Sequence, residues 1–387
     1  MSEYQYLAFR AVDRRLTERE LAFARKQSTR AEITPWSFEN EYHFGDFHGD
    51  AEGLLRRGFD AHLHYANFGV RRIAFRLPGG FPCPKRVWTQ YIGVGELKWI
   101  KDPKGKGGIV SLDPFHEAGE LDEIWEPSAY MEDVIQIREQ LAAGDMRVLY
   151  LLWLCGAFDD QSVSPDIVEP PVPAGLAEGG RSFEALLEFF GLDPLLLVAA
   201  SEGAPGPPDL DQRKRIGAWV DALSDNEAKQ HLRRFLFEDA RSVKAELIAA
   251  SRVSVDRIDW PTVRLGRSFT DLLERTEILR AERETKERKK QEAAAKREAA
   301  KREQERKTRM EDMVKAPKKW LGEAEKLVEA RGTQNYKAAA EILADLRQAV
   351  GGDEGEQMTR THAAHLARRH PTLTHLKSSL RKRGLLE

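Results

Sequence analysis

The sequence predicts an α+β protein: an N-terminal α/β sandwich, an all-α middle domain, a long single charged helix and a small C-terminal helical bundle. Three observations carry this. Alternating apolar runs are confined to the first 120 or so residues. Helical spacing dominates afterwards. Between positions 280 and 310 the only apolar residues are alanines and Met310. At 387 residues the chain has room for two or three domains, and the spacing divides it at 1–120, 121–268, 269–313 and 314–387.

In the first part, residues 4–11 read as a strand, and Thr17-x-x-Glu20 is a capping box that opens a helix, with Leu16 and Leu21 placed to staple it. Residues 35–44 alternate, with Trp36, Phe38, Tyr42 and Phe44 on one side. Residues 50–68 carry Leu55, Phe59, His62 and Ala66 at helical spacing. Strands follow at 72–77, 97–101 and 109–112, the last two joined by a glycine-rich hairpin loop with Lys104 and Lys106. This order implies a sandwich with helices on one face, for which a ferredoxin-like arrangement is one solution.

Helices are expected at 128–142, 146–158, 183–190, 195–200, 213–223 and 225–250, the last opened by a second capping box, Ser224-x-x-Glu227. The Pro-, Gly- and acid-rich stretch 161–180 reads as a linker. In the charged helix, six Glu-to-Lys/Arg pairs at i,i+4, among them Glu298–Arg302, support an isolated, solvent-exposed spacer. It lacks the large apolar a and d positions of a coiled coil. Four short helices, near 318–330, 336–350, 356–369 and 373–380, complete the chain.

Charge is unevenly spread. Residues 1–279 hold 34 Lys+Arg against 45 Asp+Glu, and residues 280–387 hold 27 against 18, within a net charge of −2. Between Gln357 and Leu386 there is no acid at all. Arg360, Arg368, Arg369, Lys377, Arg381, Lys382 and Arg383 therefore form the candidate surface for an acidic protein partner or for nucleic-acid phosphates. No apolar run is long enough to span a bilayer. With only two cysteines, no disulfide framework is expected, and a reducing cytoplasm is the expected compartment.

Sites with reaction chemistry are not evident. His62 and His64, two apart on the expected helix, diverge and cannot chelate together, and His62 reads as a core residue. His43, His48 and Asp46 surround a turn, while His362 and His365 share a helix face without a nearby carboxylate. Cys83 lacks a visible activating group and Cys155 reads as core. Neither Gly93-Val-Gly95 nor the Lys104 loop matches a phosphate cradle. Catalytic residues are not assigned, and neither a cofactor nor a metal is expected.

The segments Tyr4-Gln-Tyr-Leu-Ala-Phe-Arg-Ala-Val-Asp13 and Phe59-Asp-Ala-His-Leu-His-Tyr-Ala-Asn67 resemble an uncharacterised family of bacterial cytosolic proteins. The ending that begins Tyr336-Lys-Ala-Ala-Ala-Glu-Ile-Leu is similar to tails on some bacterial SWIM-type zinc-finger proteins, although the finger's cysteine–histidine pattern is absent. The resemblance assigns no catalytic residue. The expected function is a non-enzymatic adaptor with a basic recognition module on a helical spacer. The alternative is a nucleic-acid-associated protein using that same module, and a third reading is an enzyme with its site in the N-terminal domain.

Overall fold

The computed structural model describes residues 3–114, 116–117, 119–159, 167–208, 212–254 and 260–387. They fold as two units, 1–282 and 283–387. The first opens with β1 (Gln5–Arg10) and α1 (Glu18–Ala24), then β2 (Glu32–Ile33), β3 (Ser37–Tyr42) and α2 (Ala51–Arg57). β4 (Ala61–Ala66), β5 (Val70–Leu77), α3 (Lys85–Trp88), β6 (Leu97–Lys101) and β7 (Gly108–Leu112) follow. The Thr17 capping box forms as expected, with the Glu20 carboxylate accepting the Thr17 N–H at 2.7 Å.

These strands make one seven-stranded sheet in the order β2-β3-β1-β4-β5-β7-β6. Every neighbouring pair is antiparallel, and read from β4 the first four strands run 4-1-3-2, so β1-α1-β2-β3-α2-β4 has the expected ferredoxin-like arrangement, which β5, β7 and β6 extend. The helix expected over 50–68 is corrected: it ends at Gly58, and β4 follows. The β4–β5 turn is made by Gly69 at φ +109, where a Cβ would sit 1.9 Å from the His116 carbonyl oxygen, so no side chain fits.

Both sheet faces are covered, not one. Leu7, Phe9, Phe38 and Ala74 pack against Leu21 of α1 and Leu54 and Leu55 of α2. On the other face Ala8, Leu63, Phe75 and Val110 join a larger core, to which α4 (Met131–Ala142) and α5 (Met146–Asp159) contribute. β8 (Val172–Pro173), α6 (Arg181–Phe189) and α7 (Leu195–Ser201) belong to the same core. The expected boundary at 120/121 thus falls inside a continuous core.

Of the expected linker, 161–166 lies outside the described residues. Its middle is packed: Val172, Ala174 and Leu176 are buried. The buried Glu169 carboxylate accepts the Tyr150 hydroxyl at 2.8 Å and the Arg267 guanidinium at 2.8 Å. Proline enriches such a segment without making it mobile, because tertiary partners satisfy its backbone. The single helix expected over 225–250 is two. After α8 (Gln212–Asp221), α9 (Asp225–Phe237) stops, and the Asp239 carboxylate accepts the Ser242 N–H at 2.9 Å to start α10 (Ala240–Ser254). β9 (Thr262–Val263) pairs with β8, so this region is not purely helical.

α11 (Phe269–Lys315) contains the charged stretch, and residues 281–308 are all exposed. The expected Glu298–Arg302 pair closes at 2.5 Å. In the second unit α12 (Pro317–Glu329), α13 (Thr333–Val350), α14 (Gly352–Arg369) and α15 (Thr374–Lys382) enclose their own core, with Val328, Leu343, Leu366, Leu376 and Leu380 inside. Met313 joins that core, and Arg306 reaches the buried Asp345 at 3.2 Å. The bundle therefore uses the last turns of α11. Among the described residues no helix is long and apolar enough to cross a membrane.

Candidate functional site

The seven cations singled out in the C-terminal sequence all lie on α14, α15 and the turns that end them. Leu366 and Leu376 turn their sides of these helices inward, which leaves the basic positions outward. Four are committed within the unit. Arg360 pairs with Glu356 at 3.0 Å, and Arg369 reaches Glu325 and Glu329 of α12. Lys377 donates to the Pro371 carbonyl at 2.8 Å, and Arg381 to the Glu387 main-chain oxygen at 2.7 Å. Arg368, Lys382 and Arg383 are exposed and make no ion pair among the described residues. Arg347 joins them: its guanidinium donates to the Arg383 and Gly384 carbonyls, both at 3.0 Å. A cation at a helix C-terminus complements the helix dipole. Sequence reasoning missed Arg347 because only the fold of α13 against α15 brings it there.

The histidines resolve differently from expectation. On β4, His62 and His64 share a face, since strand side chains repeat every second residue. Their rings are 6.3 Å apart. His62 stacks on Phe9 at 4.0 Å with Nδ1 3.0 Å from the Ala8 carbonyl, and His64 Nε2 meets Gln5 Oε1 at 3.1 Å. His62 is a core residue, as expected, though on a strand. Gln5 also donates to Asp46 at 2.6 Å. Exposed His43 lies 5.6 Å from the Tyr4 ring. Among the described residues no trio of His, Cys, Asp or Glu is placed to hold a metal. Both cysteines are buried, and burial pushes the Cys155 thiol up.

The aromatic side of residues 35–44 is largely covered. Phe38 and Tyr42 are buried and Trp36 lies under the Arg241 guanidinium at 5.1 Å, with Phe44 alone exposed.

No family model, curated protein or solved structure matches this chain. Its functional surfaces are read from its own geometry.

Two such surfaces stand out in the first unit. α9 buries none of its residues and exposes Leu232, Phe235, Leu236 and Phe237, the last at 85%. None of these four side chains is buried by another element among the described residues. The second is a groove of about 1050 Å³ lined by eight carboxylate side chains and three arginines, where Trp125 is 91% exposed. Arg71 spans its inner wall and donates to the Phe189 carbonyl at 2.7 Å. The excess of carboxylates turns anions away from this side.

Proposed function

We propose that the protein is a non-enzymatic adaptor that holds one protein through α9 and a second, acidic protein through the basic end of the C-terminal bundle. The exposed apolar face of α9 carries the reading. Leaving a Leu or Phe side chain in water forgoes about 1.5–3 kcal/mol each, and contiguous exposed apolar residues mark interaction surfaces. At the other contact Arg368, Lys382 and Arg383 supply charge, with Arg347 holding the end of α15. The commitment of four of the seven tail cations to partners within the bundle favours an acidic protein over extended phosphate contacts at this surface.

Cross-linking capture from nuclease-treated lysate tests this with two variants, each checked for folding by circular dichroism. One carries Phe235→Ser, Leu236→Ser and Phe237→Ser; the other carries Arg368→Gln, Lys382→Gln and Arg383→Gln. Two distinct partner sets are expected, each lost in only one variant. Identical capture by the wild type and both variants would remove the adaptor reading.

A further inference from the structure

The first unit is acidic, yet residues 81–108 hold six Lys/Arg against two acids. Lys85, Arg86, Lys101, Lys104 and Lys106 are exposed, and none makes an ion pair among the described residues. The two acids are spent elsewhere. Asp102 is held by Arg56 and, at 3.2 Å, by Arg76. Glu96 pairs with Lys98, which points to the opposite sheet face from Trp99.

These five cations flank a stack of rings. Phe81 and Trp88 lie 4.6 Å apart at 24°, and Trp99 closes the group at 4.7 Å from Phe81 and 5.9 Å from Trp88. All three are half-buried against the core. α3 supplies Lys85, Arg86 and Trp88, while β6 supplies Trp99 and, two residues on along the same face, Lys101. The hairpin loop carries Lys104 and Lys106, closed by the Asp102 N–H donating to the Gly107 carbonyl at 2.9 Å. It sits against the turn before Phe81: a Cβ on Gly80 would be 2.5 Å from the Lys106 carbonyl oxygen. Four separate pieces of chain thus converge on one surface.

We propose that this surface, distinct from the two adaptor contacts, binds single-stranded nucleic acid, with bases against the Phe81–Trp88–Trp99 rings and phosphates along the five cations. Planar rings set among unpaired cations meet both halves of a nucleotide. An acidic peptide would engage the cations and leave the rings unused. A duplex keeps its bases stacked inside and out of reach.

The test uses the full chain and a fluorescein-labelled 20-nucleotide oligo(U), read by anisotropy at several salt concentrations. Saturable binding is expected, several-fold tighter than to polyglutamate of equal charge or to duplex of equal length. Replacing Lys85, Arg86, Lys101, Lys104 and Lys106 together with Gln should weaken it at least ten-fold. It should also flatten the salt dependence, by about 0.7 per lost phosphate contact. Trp88→Leu should weaken binding five-fold or more at an unchanged salt slope, because stacking is not electrostatic. The Arg368→Gln, Lys382→Gln, Arg383→Gln variant should bind as the wild type does. If Trp88→Leu fails to fold, the five-Gln variant and the ligand comparison decide. No binding at low salt, unchanged affinity in the five-Gln variant, or equal affinity for polyglutamate would each overturn the proposal.

Discussion

Arg138 shows what a single side chain does for the first unit. It is fully buried, donates to Asp13 at 2.6 Å and Asp60 at 3.3 Å, and reaches the Arg76 carbonyl at 3.2 Å. Asp60 in turn accepts the Val12 and Asp13 N–H groups at 2.7 and 3.0 Å. Arg138→Met leaves a buried carboxylate without its cation, so urea unfolding should show a loss of about 3–5 kcal/mol. Adding Asp60→Asn should restore part of it, since the uncompensated charge goes too. His62 and His64 set a pH dependence. Burial lowers both, and His64, also facing Arg72, is brought down to about 4. Unfolded, each returns to about 6.5. Below that pH the unfolded chain binds protons that the native fold refuses, so stability falls as pH drops from about 6.5 toward 4. The first unit should lose about 2–3 kcal/mol between roughly pH 7.5 and 5.5. His64→Gln should roughly halve that loss; an unchanged pH profile would show that His64 is not its source.

At the scale of elements, the helix caps, the edge hairpin and the C-terminal helices were legible because each is announced locally. Thr17 and Ser224 fix helix starts by short-range hydrogen bonds, and residues 97–101 and 109–112 flank an obvious turn. β4 was not legible, because both its faces are buried. A strand covered on two sides loses its alternation, and Leu55, Phe59, His62 and Ala66 then imitate a helical stripe across Gly58. β8 was hidden for another reason: its partner β9 lies some ninety residues away, and no local signal announces that pairing. Of the candidate sites, the basic tail was readable as charge, whereas its internal pairing required α12 to be placed. The charged part of α11 permits an element-level expectation. A peptide covering 270–315 should be monomeric and largely helical at low salt by circular dichroism, with helicity falling as salt screens its i,i+4 pairs. A stable dimer in sedimentation would contradict this.

The molecule as a whole has separate apolar cores in its two units, one around the sheet and one around Leu343 and Leu376. Calorimetry of the full chain should therefore resolve two transitions. A fragment of residues 283–387 should reproduce one of them, since it retains Met313, Arg306 and Arg309 for its own core and for Asp345. A fragment starting at residue 314 should melt lower, because it exposes part of that core and leaves Asp345 buried without either arginine.

The ion pair between Glu169 and Arg267 has a consequence for biosynthesis. The two residues are 98 positions apart. A ribosome adding about 5–20 residues per second delivers Arg267 roughly 5–20 s after Glu169. For that interval the nascent chain carries the sequence of the sheet and its helices but no Arg267 for the Glu169 carboxylate, and it also lacks Phe269 and Leu272, which belong to the same core. Folding of the first unit is therefore finished from its far end. Nascent chains stalled before residue 267 leaves the exit tunnel should remain protease-sensitive, and release of the next few residues should protect the sheet all at once.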